Sequence, residues 1–297
     1  MKLQLLSFFF FIGIFSFAQY TNVPDDKFEQ ALIDLGYDDV LDNQVLTANI
    51  NQVVTLNVPL RMISNLTGLE DFTSLEELNC LGNNLSNIDI SNNLQLKILN
   101  VTGNQLTKLD ITKNIQLTHL EVGVNLLTDL DVSRNQFLES LICNMNSLTM
   151  LDVSHNPSLT YLMCANNKIL NVNFSINSGL KELIVDFNNL VNIDLHNLIH
   201  LELFSCFSNQ IKSLSFEHNP KLKTIICYYN EIEVIDISSN PDVDFFLCSN
   251  NSLISLNLKN RNNLENFNFR SKANENLLCI EIDDINWANN NWTEYID

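Results

Sequence analysis

The side chains most able to do chemistry in this sequence are its cysteines. Six of the seven are separated by 21 residues or by multiples of 21, and these are Cys80, Cys143, Cys164, Cys206, Cys227 and Cys248. A cysteine can act as a nucleophile, form half of a disulfide or fill an apolar core position. A nucleophile needs partial exposure and a nearby base, and no histidine occupies a facing position. Regular spacing therefore favours a structural role.

A disulfide between neighbouring cysteines is the main alternative. If each 21-residue unit forms one coil, cysteines one coil apart are close enough to bridge, but parallel side chains in one column approach the required torsion poorly. Where a cysteine is missing from the series, the sequence has Val101, Val122 or Val185. Because cysteine alternates with valine, we expect these cysteines to be reduced and buried.

The five histidines show no spacing typical of metal ligands; they are His119, His155, His196, His200 and His218. They are expected to be solvated surface residues. The sequence therefore predicts no metal, no cofactor and no enzymatic activity.

Six aspartates also recur with the 21-residue period, and these are Asp89, Asp110, Asp131, Asp152, Asp194 and Asp236. Stacked carboxylates about 5 Å apart repel one another and could bind calcium. A solvated acidic face is the simpler interpretation, because the sequence contains neither an EF-hand loop nor a glycine-aspartate nonapeptide.

Composition limits the class of partner. The chain has 297 residues, is 45% hydrophobic and carries a formal net charge of −19. That length and hydrophobicity allow a sizeable core. The strong negative charge argues against nucleic acid or an anionic membrane as a partner.

The first eighteen residues predict export. The segment MKLQLLSFFFFIGIFSFA has Lys2 before an apolar run, and Ser16 and Ala18 form a small-residue cleavage site. The uninterrupted apolar run is short for a membrane anchor, which is the alternative. We therefore predict a signal peptide at residues 1–18, cleaved before Gln19, and a secreted, periplasmic or cell-surface protein.

The elements that position these residues are set by an internal repeat. Nine copies of 21 residues follow one another without insertion over residues 75–263, and they begin at Leu75, Leu96, Leu117, Leu138, Leu159, Leu180, Leu201, Leu222 and Val243. The frame is L-x-x-L-x-C/V-x-x-N-x-L-x-x-L-D-I-S-x-N-x-x. Alternating apolar residues at positions 4 and 6, and at 14 and 16, predict two short extended segments per copy. One copy cannot bury its own apolar face, so the copies must stack as coils of a right-handed solenoid with parallel strands.

Asparagine occupies position 9 in all nine copies and position 19 in seven. A tight coil turns backbone amides and carbonyls away from water, and each unpaired group would cost about 1–3 kcal/mol. An inward asparagine offers two donors and an acceptor to such groups. We therefore predict that these asparagines are structural.

The repeat resembles the bacterial leucine-rich repeat, in its nested variety of 21 residues. The resemblance covers residues 53 to about 285 and includes an irregular first repeat at 53–74, in which Arg61 replaces the asparagine. It implies a curved solenoid with the first strand of each coil on the concave face. The whole plan is similar to that of secreted bacterial leucine-rich repeat proteins.

Caps are predicted at both ends. Residues 19–52 form an N-terminal cap, in which PDDKFEQALIDLG at 24–36 reads as an amphipathic helix with Phe28, Ala31, Leu32 and Leu35 on its buried side. Residues 264–297 form a C-terminal cap with a last strand and a loop that carries Trp287 and Trp292.

A set of large apolar residues stands at positions 3, 5, 7 and 8, which face solvent if position 6 points inward. We call this set the apolar stripe: Ile142, Met145, Tyr161, Met163, Ile184, Phe187, Leu203, Phe207, Ile226, Tyr228, Tyr229, Phe245 and Leu247. Nothing in the fold requires these positions to be apolar, and such residues are favoured at interface cores. The sequence therefore predicts a non-catalytic protein that binds a protein or peptide on its concave face. A carbohydrate ligand, a terminal lid over the stripe, and self-association or homodimer formation through it remain alternatives.

Overall fold

The computed structural model describes residues 18–261 and 268–291, and it shows a solenoid of stacked coils. The strands are β1 (Tyr20–Asn22), β2 (Gln44–Leu46), β3 (Thr55–Asn57), β4 (Glu77–Asn79), β5 (Ile98–Asn100), β6 (His119–Glu121), β7 (Ser140–Ile142), β8 (Tyr161–Met163), β9 (Glu182–Ile184), β10 (Leu203–Ser205), β11 (Thr224–Ile226), β12 (Val234–Asp236), β13 (Phe245–Leu247), β14 (Ser255–Asn257), β15 (Asn268–Arg270) and β16 (Cys279–Glu281). The helices are α1 (Asp26–Asp34), α2 (Thr47–Ile50) and α3 (Ile285–Asn291), and Leu69–Asp71 forms a 3-10 turn.

One parallel sheet of eleven strands runs the length of the solenoid, in the order β15-β13-β11-β10-β9-β8-β7-β6-β5-β4-β3. Between regular repeats each strand pairs in register with the residues 21 positions away, as Leu162 does with Leu183. The middle residue of each regular strand is buried, and its two neighbours face outward because side chains alternate along a strand. We call this outward side of the sheet the strand face. The predicted first extended segment and the parallel stacking are confirmed.

The predicted second extended segment of each copy forms paired strands in fewer of the described coils than the first segment does. Within residues 18–261 and 268–291, these paired strands are β12, β14 and β16. In earlier coils, asparagine side chains at position 19 join neighbouring coils on this side. Asn177 Nδ2, for example, donates to Val153 O at 3.2 Å and to Asn156 O at 2.8 Å.

The asparagines at position 9 act as predicted. Asn188 Nδ2 donates to Cys164 O at 3.0 Å in the preceding coil and to Val185 O at 3.1 Å in its own. Its Oδ1 accepts from Ile169 N at 2.9 Å. The same pattern recurs along the stack, so one side chain per coil satisfies backbone groups that the turn removes from water.

The N-terminal cap contains the predicted helix, with one correction. The Asp25 carboxylate caps α1 by accepting from Lys27 N and Phe28 N, and it also accepts from Ser64 N and Asn65 N of the first repeat. Leu35 was predicted on the buried side but is 41% exposed. It is the C-cap residue and lies beyond the last helical turn.

Glu29 is buried on α1 instead of Leu35. Its Oε1 accepts from Asp42 N at 2.8 Å and from Gln44 N at 3.1 Å. The carboxylate thus fixes the loop that leads into β2, which explains why a charged residue lies on the inner side of the helix.

The C-terminal segment differs from the predicted loop. Residues 285–291 form α3, in which Ala288 is buried and Trp287 packs partly buried against the core. Trp292 lies outside the described residues, as do the predicted signal peptide up to Phe17 and residues 262–267 near the end of the ninth repeat. None of the helices in the described parts of the chain is long and apolar enough to cross a bilayer.

Candidate binding surface

The apolar stripe lies on the strand face and in the turn that follows it. Met145, Phe187 and Tyr229 are exposed, with exposed fractions of 51%, 47% and 56%. The other ten stripe residues are half-buried, and none lies in the core. Each stripe side chain is therefore at least partly open to solvent.

Position 5 forms an aliphatic column on the strand face. The parallel register aligns Ile142 with Met163 and Met163 with Ile184, and it places Ile226 beside Leu247. Ser205 stands between Ile184 and Ile226 and is the one small polar residue in this stretch. The aliphatic column is therefore continuous except at Ser205, which is buried.

Positions 7 and 8 carry what we call the aromatic cluster, formed by Phe187, Phe207, Tyr228 and Tyr229. The Phe187 and Phe207 rings meet edge to face with centroids 4.7 Å apart, and Phe207 stacks on Tyr228 at 4.5 Å. Tyr228 meets Tyr229 edge to face at 5.5 Å. These separations suit favourable ring contacts, so three successive coils present one aromatic surface.

The remaining stripe residues lie on the same face but apart from this cluster. Tyr161 points along its own strand, with its hydroxyl 3.8 Å from Met163 Sδ. Leu203 and Phe245 are the first residues of β10 and β13. The structure thus resolves most of the stripe into an aliphatic column and an aromatic cluster, whereas Glu182 and Thr224 separate the stripe residues at position 3 from one another.

Position 8 has an unusual backbone. Its residue adopts positive φ in every regular repeat, from 67° at Gly82 and 69° at Gly103 to 54° at Met145, 50° at Phe187 and 53° at Tyr229. The left-handed region costs a residue with a Cβ atom roughly 1–2 kcal/mol, and glycine avoids that cost. A bulky side chain here is therefore retained against a conformational penalty.

Two residues of this surface escaped the sequence analysis. Asp186 at position 7 and Ser205 at position 5 are both buried, with exposed fractions of 7% and 3%, and Ser205 Oγ donates to Asp186 Oδ1 at 2.6 Å. Both residues differ in type from those at the same position of the neighbouring repeats. Ser205 interrupts a run of aliphatic residues, and Asp186 carries the one charge at position 7 in the nine repeats.

Each repeated aspartate at position 15 precedes a turn and accepts a hydrogen bond from the backbone amide two residues later. Asp89 Oδ1 accepts from Ser91 N at 2.9 Å, and Asp152 Oδ1 accepts from Ser154 N at 2.9 Å. Hydrogen bonds from the backbone and hydroxyl of Ser91 hold the pKa of Asp89 below its ordinary value. Residues 18–261 and 268–291 contain no group of three or more histidine, cysteine, aspartate or glutamate residues arranged to hold a metal.

The six periodic cysteines are buried free thiols in the coil interior. Burial raises the pKa of Cys80 and of Cys164 to about 12, so both stay protonated at neutral pH. The seventh, Cys279, is exposed at the start of β16. The buried thiols are thus unsuited to nucleophilic chemistry.

Solved structures with the same architecture include bacterial leucine-rich repeat proteins. The functional domain of InlJ from Listeria monocytogenes, described as including a cysteine ladder, aligns with a TM-score of 0.68 and 26% identity over 90% of this chain and 62% of that chain. A leucine-rich repeat protein of Leptospira interrogans aligns with a TM-score of 0.60 and 21% identity over 77% of this chain and 58% of that one. The internalin InlF of Listeria monocytogenes aligns with a TM-score of 0.53 and 19% identity, over 92% and 94% of the two chains. This chain thus spans about six-tenths of the length of the first two.

No protein-family model matches the sequence, and no curated protein matches it either. The fold and the 21-residue period nevertheless define the class. The protein is a leucine-rich repeat solenoid with a 21-residue period, and it resembles bacterial proteins of this fold. Solenoids of this kind present extended concave surfaces and act as binding scaffolds.

Proposed function

We propose that the protein is an exported, non-catalytic binding protein that holds an extended protein or peptide segment on its strand face through the apolar stripe. The observation that carries the proposal is the placement of large apolar side chains in outward columns that the solenoid does not need to fill. In the same coils, the second side presents polar residues such as Asp152 and Asp194 at position 15. Exposed apolar residues such as Met150 and Val191 also occur away from the strand face, but the stripe gathers such residues in adjacent coils.

Backbone strain at position 8 supports the same surface. Gly82 and Gly103 occupy this left-handed position in the first two regular repeats, whereas Phe187 and Tyr229, two members of the aromatic cluster, occupy it in the sixth and eighth. Stored conformational strain concentrates where a side chain serves a function. Glycine would relieve that strain but would remove half of the aromatic cluster.

The chemistry of the face favours a peptide over a glycan. A sugar ligand needs hydrogen-bonding side chains for its hydroxyl groups as well as aromatic platforms. The column of Ile142, Met163, Ile184, Ile226 and Leu247 runs directly beside the aromatic cluster and offers apolar contact alone. Apolar and aromatic side chains of a protein partner complement it better.

Export is part of the proposal and rests on residues 1–18. If it is correct, intact mass spectrometry of protein recovered from the periplasm or medium gives a chain that begins at Gln19. An unprocessed chain recovered in the membrane fraction would exclude export by this route.

A displayed library of random 15-residue peptides provides the binding test. Peptides selected on the purified protein are measured against Ile184→Ala, Phe207→Ala and Tyr228→Ala. Each variant should weaken binding by about 1–2 kcal/mol, which is tenfold or more, because truncation of a central anchor removes buried contact. Val191→Ala and Val234→Ala are matched controls, since both valines are exposed apolar residues outside the stripe.

The other possible occupants give different results. The proposal is refuted if the selected peptides bind all three stripe variants as tightly as they bind the wild type. It is also refuted if Asp131→Asn and Asp152→Asn abolish peptide binding. Binding confined to a glycan array would replace the peptide with a carbohydrate. A dimer in solution that dissociates in the Tyr228→Ala variant would assign the stripe to self-association.

A further inference from the structure

The strand face carries a buried carboxylate next to the aromatic cluster. Asp186 follows β9 and is 7% exposed. Its Oδ1 accepts from Ser205 Oγ at 2.6 Å and from Phe207 N at 3.0 Å. These two bonds fix the orientation of the carboxylate from the side of the next coil.

This carboxylate has no cationic partner within the described residues. The five ion pairs found there involve other residues. The titratable neighbours that act on Asp186 or feel its charge are the thiols of Cys164 and Cys206 and the phenol of Tyr228, and burial raises the pKa of all three. Each is neutral at pH 7, so none compensates the charge. Burial of Asp186 raises its own pKa to about 6, which is the expected result of desolvation without a counter-charge.

The fold does not need a carboxylate at this place. Position 7 holds leucine, threonine, glycine, asparagine, alanine, phenylalanine, tyrosine and serine in the other eight repeats. A buried charge without a partner destabilises the folded chain. Its retention in the middle of an apolar surface therefore points to a role in recognition.

One oxygen of the carboxylate is open. Both hydrogen bonds to Asp186 use Oδ1, whereas Oδ2 accepts none in the described part of the chain and is not sealed from solvent. Small side chains flank it, because the register places Ala165 beside Asp186 and Ser205 lies in the column between Ile184 and Ile226. The result is a buried carboxylate with one oxygen that has no hydrogen-bond partner in the described chain, at the point where the aliphatic column is interrupted.

We propose that Asp186 binds a cationic side chain, lysine or arginine, of the peptide held on the strand face. The inference rests on the proposed function and adds the chemistry of one anchor. The aliphatic stem of such a side chain would pack against Ile184 and Ile226, and the head would donate to Asp186 Oδ2. Phe207, whose backbone amide donates to Asp186, would offer its ring to the same cation for a cation–π interaction.

The test uses a small probe in place of the unidentified partner. n-Butylammonium and ethylguanidinium reproduce the two cationic heads with short stems, and 1-butanol and ethylurea are their neutral counterparts. The reporter is the backbone amide of Phe207 in proton–nitrogen NMR spectra, because that amide donates directly to Asp186. A cation should shift this signal saturably, and a neutral counterpart should bind at least tenfold more weakly.

Two variants separate a specific site from general attraction. Asp186→Asn keeps an acceptor for Ser205 and Phe207 but removes the charge, and it should weaken cation binding at least tenfold. Glu182→Gln removes one charge from the same strand at a half-buried position and should change binding less than twofold. In the wild type, binding should strengthen between pH 5 and pH 7 because the carboxylate must be ionised.

Equal cation binding by the wild type and Asp186→Asn would overturn the inference, and so would an equal loss in Glu182→Gln. A shifted Phe207 signal in the ligand-free Asp186→Asn spectrum does not affect the comparison, since the fold-change is taken from each variant's own titration. If Tyr228→Ala weakens the selected peptides while Asp186→Asn does not, this inference fails and the proposed function stands. If cations bind as expected while all stripe variants keep peptide binding, the proposed function fails alone.

Discussion

Removing one asparagine from position 9 should destabilise the solenoid by an amount that follows from the hydrogen bonds of its neighbours. In Asn188→Ala, Ile169 N loses the Asn188 Oδ1 acceptor, which is its hydrogen-bond partner in the described structure. Cys164 O and Val185 O each keep a second asparagine donor, from Asn167 and Asn209 respectively. One orphaned amide at about 1–3 kcal/mol and two weakened carbonyls at about 0.5–1.5 kcal/mol each give a loss of about 2–6 kcal/mol.

Position 19 provides a matched comparison within the same coil stack. Asn177 Nδ2 donates to Val153 O and Asn156 O, but both carbonyls also accept from backbone amides, those of Asn156 and Leu159. Asn177→Ala therefore orphans no backbone group in the described chain and should cost about 1–2 kcal/mol. Asn192→Ala removes an exposed asparagine and should change the free energy of unfolding by less than about 0.5 kcal/mol.

Urea unfolding followed by far-ultraviolet circular dichroism measures these differences, with equal m values required before the free energies are compared. Amide hydrogen exchange at Ile169 gives an independent local readout, because its donor is the group predicted to lose its partner. The reasoning is refuted if Asn177→Ala costs as much as Asn188→Ala. Equal costs would mean that lost side-chain volume, and not the orphaned amide, sets the penalty.

Three further predictions concern the cysteines, Asp186 and position 8. Under native conditions one thiol, Cys279, should react rapidly with a thiol reagent, and the six buried thiols should react after denaturation; fast native labelling of more than one would contradict their burial. Because the pKa of Asp186 is raised to about 6, its protonation favours the folded state. The free energy of unfolding of the wild type should therefore rise relative to that of Asp186→Asn as the pH falls from 7 to 4, and parallel pH curves would exclude this coupling. Tyr229→Asn copies the residue found at position 8 in two other repeats, and calorimetry should show stability unchanged within about 1 kcal/mol, since relief of left-handed strain offsets the lost contact with Tyr228.

The stacking of the coils could be predicted from the sequence because it restricts which residue types each coil can have at its inward positions. A buried leucine column and an asparagine column tolerate few substitutions, so a 21-residue period remains visible over nine copies. The solenoid, the parallel register and the asparagine bonds are all confirmed. The neighbouring solved structures share this solenoid architecture.

The ends were less predictable because no second copy exists for comparison. Leu35 fits the apolar periodicity of α1, but the helix ends one residue earlier, at Asp34, and the side chain faces solvent. Trp287 was expected in a loop because the segment is rich in asparagine, a poor helix former. In the structure it lies on α3, where its contact with the core outweighs local propensity.

The left-handed turn at position 8 shows a different limit. Gly82 and Gly103 correctly indicate a positive φ at position 8. Some later repeats have valine, methionine, phenylalanine or tyrosine there, and these residue types give no indication of a positive φ. Repeat geometry forces the conformation on every residue at this position, whatever its own preference. The structure was therefore needed to show that the aromatic residues there carry a conformational cost.

The repeat also explains why exceptions within it are informative. Position 6 is buried in the coil interior and holds either cysteine or valine, so the choice between these two residues reflects packing alone. At position 7 the fold accepts side chains from glycine to tyrosine, so packing of the coil does not decide which one is present. The other eight repeats stack without an aspartate at position 7, and coils without aromatic residues at positions 7 and 8 stack as well. Those two features occur together on one face of three successive coils, which is the arrangement expected where selection acts on what the surface binds.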